Sequence, residues 1–80
     1  MINFMKIFGY QQHSDDLLNL NEMTIQCNLD ELDKIIVFLN KVKESHSEVY
    51  GKTDMCHSHL RDSDLQWKNG DPDIIIVTKF

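Results

Sequence analysis

A single amphipathic segment constrains the fold of this chain more than any other feature. Asn28 is a typical helix N-cap residue, and Glu31 three positions later completes a capping-box pattern. Acidic residues crowd the first turn and lysines lie near the far end, as the helix dipole favours. The pattern predicts a helix that begins after Asn28 and fades around residues 45–47. Its buried stripe is predicted from apolar residues at spacings of three and four: Leu32, Ile35, Ile36, Leu39 and Val42.

Four other segments have the character of β-strands. Residues 2–8 and 74–78 are apolar at both parities, which predicts burial on both faces. Residues 23–27 alternate apolar with polar side chains, and residues 55–60 indicate a further strand. The sequence therefore predicts an α+β fold in the order strand-strand-helix-strand-strand. We expect a small antiparallel sheet of about four strands, with the one helix packed on one of its faces.

The intervening segments are predicted to be loops. Residues 9–16 are polar, and residues 63–73 indicate a long loop or irregular connection that contains the turn signal Asn69-Gly70-Asp71-Pro72-Asp73. Since one helix covers one face of such a sheet, something else must cover the other. The long loops, a second copy of the chain forming a homodimer, or a different protein bound there or along an exposed edge strand would each do so.

The length of the chain limits what kind of function it can carry. Eighty residues predict a single domain spanning residues 1–80, with a modest core and little room for a catalytic cleft. A surface that binds another macromolecule is easier to build at this size. The sequence also has no P-loop, dinucleotide-binding or nucleophile-elbow pattern, so we do not expect an enzyme or a bound cofactor.

The charge distribution favours a protein partner over nucleic acid. The net charge is −5, and no Lys or Arg occurs between Lys6 and Lys34. Such a surface repels phosphate backbones but can steer a basic protein into a fast complex. Equally, a charge of this size can simply keep a small protein soluble.

The location of the chain is predicted to be cytoplasmic. Lys6 interrupts the N-terminal apolar stretch, and no apolar run approaches the ~20 residues that span a bilayer, so neither a signal peptide nor a membrane segment is predicted. Cys27 and Cys56 are too few for a disulfide scaffold, and we expect them to be reduced and half-buried.

The residues best suited to bind a metal or a partner lie between positions 54 and 73. On a strand, His57 and His59 share one face with Cα atoms about 7 Å apart, and a third ligand from Asp62, Asp64 or His46 would make a metal site. A histidine pair on a surface strand more often bonds to nearby carboxylates or to a partner, so no metal is predicted. Trp67, in a polar stretch, either closes one end of the core or anchors a partner, and the first role is the commoner one.

Two stretches of the chain resemble the Immunity protein 32 family of bacterial polymorphic toxin systems. One is Met23-Thr24-Ile25-Gln26-Cys27 leading into Asp30-Glu31-Leu32. The more specific one comprises His57, His59, Leu60, Asp62, Trp67, Pro72 and Asp73, followed by an apolar strand. The resemblance implies a cytoplasmic inhibitor without catalytic residues. It would bind its cognate toxin stoichiometrically and block the toxin's active surface.

Two hypotheses of different class follow. As an immunity protein, the chain would bind a toxin domain, expected to be basic, through a surface that we predict to include His57, His59, Arg61, Asp62, Asp64 and Trp67. The alternative is a small metal-binding or oligomeric structural domain that uses His57 and His59. Tight binding of one toxin without turnover would favour the first hypothesis, and metal retained through purification would favour the second.

Overall fold

The fold is α+β, with one long helix and four short strands. The computed structural model describes residues 5–80, and every structural statement below refers to that range. The elements in chain order are β1 (Ile7–Tyr10), β2 (Leu17–Leu20), α1 (Leu29–Glu48), β3 (Met55–His59), α2 (Leu60–Ser63) and β4 (Ile75–Lys79). The predicted order of strands around the long helix is therefore confirmed. None of the helices in residues 5–80 has the length and hydrophobicity needed to cross a bilayer.

The long helix begins where the sequence predicts. The Asn28 side chain accepts a hydrogen bond from the Glu31 N–H at 2.8 Å, and the Glu31 carboxylate accepts one from the Asn28 N–H at 2.9 Å. The reciprocal pair satisfies two backbone donors that the first turn leaves without helical partners. The capping box is confirmed, and the helix ends at Glu48, slightly beyond the predicted fading point.

The strands form two separate antiparallel pairs, which corrects the prediction of one four-stranded sheet with the helix across it. β1 pairs with β2 from Ile7↔Leu20 to Tyr10↔Leu17, and β3 pairs with β4 from Met55↔Lys79 to His59↔Ile75. Alternation along a strand predicts which residues share a face, but it does not identify the strand's partner. Each strand here pairs with its nearest neighbour in sequence, since closing a shorter loop costs less chain entropy.

The prediction of a second strand at residues 23–27 is wrong. The strand that follows β1 is β2, in the short apolar run just after the predicted loop. The turn between them falls inside that loop, where the Ser14 N–H donates to the Gln11 carbonyl. Met23 and Ile25 alternate correctly for a strand but have no pairing partner and remain about half-exposed. The predicted first strand overlaps β1 at residues 7–8, and its residues 2–4 lie outside the described range.

The buried stripe of α1 also differs from the predicted one. Phe38, Val42 and His46 are buried at successive spacings of four residues, with exposed fractions of 2%, 6% and 3%. Among the five residues of the predicted stripe, Val42 is buried, Ile35 is half-buried, and the other three are exposed. The helix carries two neighbouring apolar ridges, and spacing alone does not say which one faces the strands. Burial of the large Phe38 ring favours the ridge that was not predicted to be buried.

Alternation along β3 and β4 divides this strand pair into two faces. On one face, Ser58 and Thr78 meet the buried His46 side chain, which hydrogen-bonds to both hydroxyls. The other face is turned away from α1 and remains exposed. We call this second surface the open face; it comprises Met55, His57, Ile75 and Val77.

The two cysteines are free, but their environments differ. Cys56, on β3, is half-buried as predicted. Cys27 is exposed, contrary to the prediction, because the segment that contains it belongs to no sheet.

Candidate functional site

The predicted histidine pair lies on β3 with both rings on one side of the strand. The ring centroids of His57 and His59 are 5.5 Å apart, and the rings meet edge to face. His57 is exposed at the centre of the open face, opposite Val77. His59 is half-buried at the end of the strand, where the chain turns into α2. The regular pleat of β3 therefore brings the two imidazoles together as predicted.

Asp73 holds the junction between β3, α2 and β4. Its carboxylate accepts a 2.7 Å hydrogen bond from His59 Nδ1, and it also accepts from the backbone N–H groups of Arg61 at 3.0 Å and Ile74 at 2.9 Å. Arg61 Nε lies 3.9 Å from the same carboxylate. Partial burial alone would raise the pKa of Asp73, but the hydrogen bonds from His59, Arg61 and Ile74 and the charge of His59 outweigh it and lower this pKa.

The lowered pKa of Asp73 predicts a defined pH dependence of stability. A carboxylate with a depressed folded-state pKa stabilises the protein fully above its ordinary pKa of 3.8 and loses this contribution as pH falls further. At pH 6 we expect Asp73→Asn to lower the free energy of unfolding by about 2–3 kcal/mol, the usual contribution of hydrogen bonds to a charged group. Chemical denaturation between pH 3 and pH 7 measures the difference.

The difference between wild type and Asp73→Asn should shrink below pH 3.8, as the wild-type carboxylate is protonated. Asp62→Asn is the matched control, because Asp62 is an exposed carboxylate on the neighbouring α2. A destabilisation of equal size at pH 3 and pH 7 would show that the ionised carboxylate is not what stabilises this junction.

The two other predicted acidic residues lie apart from the histidine pair. Asp62 is exposed on α2. Asp64 is half-buried: its carboxylate lies 3.7 Å from Lys34 Nζ and accepts a hydrogen bond from the Gln66 N–H. Lys34 also donates to the Gln66 side chain at 2.8 Å. Asp64 therefore ties the loop after α2 to the long helix.

Trp67 closes the loop that precedes β4. It is half-buried, and its indole Nε1 donates to the Pro72 carbonyl at 3.0 Å. Its backbone N–H donates to the Asp64 carbonyl. The predicted turn further along this loop is also present, since Gly70 adopts a φ of +96°, a conformation that favours glycine. The indole therefore has a structural hydrogen-bonding role, while part of its ring stays accessible.

The structure separates the proposed metal ligands. His46 contacts Ser58 and Thr78 on the helix-facing side of β3 and β4, whereas His57 lies on the open face. A strand thus stands between the two imidazoles, because side chains of odd and even position point to opposite faces. Within residues 5–80, no group of three or more His, Cys, Asp or Glu residues is arranged to hold a metal ion.

Two important polar residues were not among the predicted site residues. Asp73 belongs to the family-like motif, and its position directly before an apolar strand is the signal that could indicate a structural contact. His46, a candidate third metal ligand in the sequence, is instead a buried bridge between the helix and two strands. Its spacing of four from Val42 on a helix could have indicated burial.

No protein-family model, no curated protein and no solved structure matches this chain.

Proposed function

We propose that this chain is a bacterial immunity protein that neutralises a cognate polymorphic toxin by binding it stoichiometrically. The observation that supports binding is the open face of β3 and β4. Met55, Ile75 and Val77 expose 51%, 51% and 53% of their surface there, although strands normally bury apolar residues. An apolar patch beside polar groups is typical of a surface that another protein covers.

The polar side chains next to this patch supply specificity in the proposal. His57 is exposed opposite Val77, and Arg61 is exposed just beyond the end of β3. Asp73 fixes the backbone at Arg61, so the guanidinium is presented from a stable position. A preorganised surface loses less conformational entropy on binding than a mobile one.

The charge of the chain supports a basic partner. Residues 54–73 contain five aspartates, and the whole chain has a net charge of −5. Attraction between opposite charges speeds encounter and fixes the orientation of the two proteins. A nuclease-like toxin domain, which must itself attract nucleic acid, has the complementary charge.

Co-expression with a toxin tests the proposed function. The toxin domain encoded next to this chain's gene should arrest growth of a bacterial host, and this chain should restore growth and form a one-to-one complex by calorimetry. Absence of both rescue and micromolar binding would contradict the proposal.

Matched valine variants test the binding surface. Val77→Glu on the open face should weaken toxin binding at least about 100-fold, since an unpaired charge in an interface opposes binding by several kcal/mol. Val77→Thr keeps the strand shape and should have a smaller effect. Val37→Glu on α1 is the control, because Val37 is as exposed as Val77 (51% against 53%) but lies on another element. Equal losses in Val77→Glu and Val37→Glu would show that the open face does not carry the interaction.

A further inference from the structure

The described chain exposes much more surface than a compact monomer of its mass. Its accessible surface is 7462 Å² for 9.4 kDa, whereas folded monomers of that mass expose about 5,000 Å². Its radius of gyration is 13.8 Å, against about 11.6 Å expected for 80 residues. The excess is on the order of 2,000 Å². A standard protein–protein interface covers about 800 Å² on each partner, so a transient partner alone leaves much of this excess exposed.

The clearest exposed pattern lies along α1. Leu29, Leu32, Ile36 and Leu39 are separated by three, four and three residues, and their exposed fractions are 78%, 42%, 48% and 43%. The next position in the repeat is Lys43. We call these five positions the α1 seam. A spacing of alternating three and four residues is the repeat by which two helices interlock their side chains.

We propose that the α1 seam is the interface of a homodimer, in which two copies of the chain pair their long helices antiparallel about a twofold axis at Ile36. This axis places Ile36 against its own counterpart and Leu29 against the partner's Lys43. Leu32 of one copy and Leu39 of the other then lie between the Ile36 layer and the layer formed by Leu29 and Lys43. The contact is self-complementary, as a twofold interface requires.

Charge selects the antiparallel arrangement. In a parallel pair, Lys43 would face Lys43 of the other copy, and two like charges in contact oppose association. In the antiparallel pair, Lys43 lies over Leu29 of the other copy, close to the acidic first turn that contains Asp30. The lysine stem covers the leucine while its ammonium reaches the carboxylates. The two helix dipoles also oppose each other favourably in this arrangement.

Area favours a second copy as the occupant. An excess on the order of 2,000 Å² per copy exceeds the roughly 800 Å² that one standard interface covers on each partner, so it leaves room for a second copy on the seam and for a partner elsewhere. The seam is also distinct from the open face of β3 and β4, so a dimer would still present one toxin-binding surface on each copy. The dimer can therefore exist whether or not the proposed function is correct.

Sedimentation equilibrium of the purified full-length chain tests the proposal. Wild type should have twice the chain mass of 9.4 kDa at micromolar concentration. Ile36→Glu places two carboxylates together on the axis and should raise the dimer dissociation constant at least about 100-fold. Val37→Glu is the matched control, because Val37 is the adjacent helix residue, is similarly exposed (51% against 48%) and points away from the seam.

The uncharged variant Ile36→Gln keeps a good helix former and should also weaken the dimer, while circular dichroism checks that each variant folds. A wild-type chain that is still monomeric at about 100 micromolar would overturn the proposal. Dimers of Ile36→Glu and Ile36→Gln that are as tight as the Val37→Glu dimer would overturn it as well. A monomeric chain whose toxin binding is lost in Ile36→Glu would overturn it too, since the seam would then belong to the toxin.

Cross-linking tests the orientation. In chains with Cys27 and Cys56 replaced by serine, Leu29→Cys mixed with Lys43→Cys should form a disulfide-linked pair under mild oxidation. Leu29→Cys alone should not, because the two copies of position 29 lie at opposite ends of the interface. Preferential linking of Leu29→Cys to itself would overturn the antiparallel geometry.

Discussion

Replacement of Phe38 by alanine is expected to remove most of the stability of this protein. Phe38 is 2% exposed and is one of the few deeply buried side chains in residues 5–80. Truncation of a buried phenylalanine typically lowers the free energy of unfolding by about 3–5 kcal/mol, and a chain of this length has about 4–12 kcal/mol in total. Urea denaturation followed by circular dichroism measures the change.

The adjacent Val37 supplies the control for Phe38. Val37 is 51% exposed, so Val37→Ala should change the free energy of unfolding by no more than about 0.5 kcal/mol. If Phe38→Ala were as mild as Val37→Ala, the buried face of α1 would not be the main source of stability. Because a homodimer would add concentration dependence, both variants should be compared at one protein concentration.

Replacement of His46 by leucine is expected to have the next largest effect. The His46 ring nitrogens lie 2.7 Å from Thr78 Oγ1 and 2.9 Å from Ser58 Oγ. A neutral imidazole offers one donor and one acceptor, and each hydroxyl can take the complementary role. Leucine restores the apolar volume but leaves both hydroxyls without their partner. Both hydroxyls are half-buried, and because an unsatisfied buried group costs about 1–3 kcal/mol, we expect a loss of about 2–4 kcal/mol.

A triple variant separates hydrogen bonding from packing at His46. Adding Ser58→Ala and Thr78→Val to His46→Leu also removes the two hydroxyls that His46→Leu leaves without a hydrogen-bond partner. Stability should then return to within about 1 kcal/mol of wild type, because an apolar replacement of a whole polar network is often nearly neutral. A triple variant as unstable as His46→Leu would mean that the shape of the imidazole, rather than its hydrogen bonds, is what the core requires.

The features predicted correctly from the sequence are those that depend on neighbouring residues. The cap at Asn28 and Glu31 is a contact between positions three apart, so the sequence contains all the information that it needs. The common face of His57 and His59 follows from the pleat of a single strand. The glycine at position 70 likewise satisfies a local turn requirement.

The features that were missed depend on contacts between distant segments. The segment around Met23 and Ile25 has strand-like alternation, but alternation does not provide a partner, and the chain pairs β1 with β2 instead. The choice between the two ridges of α1 required knowing where Phe38 packs. The position of Asp73 before a strand is visible in the sequence. Two of its three hydrogen bonds, however, come from His59 and Arg61, which only the fold brings to it, and the third comes from its neighbour Ile74.

The local pairing of the strands has a consequence for how quickly the strand pairs form. Within residues 5–80, no strand pairs across α1, so each pair can form without waiting for the opposite end of the chain. Proteins whose contacts are local in sequence fold fastest, in about milliseconds or less. In a newly made chain, each pair could thus form once both of its strands have left the ribosome. For the immunity protein that we propose, early formation of the strand pairs would shorten the interval during which the producing cell is unprotected.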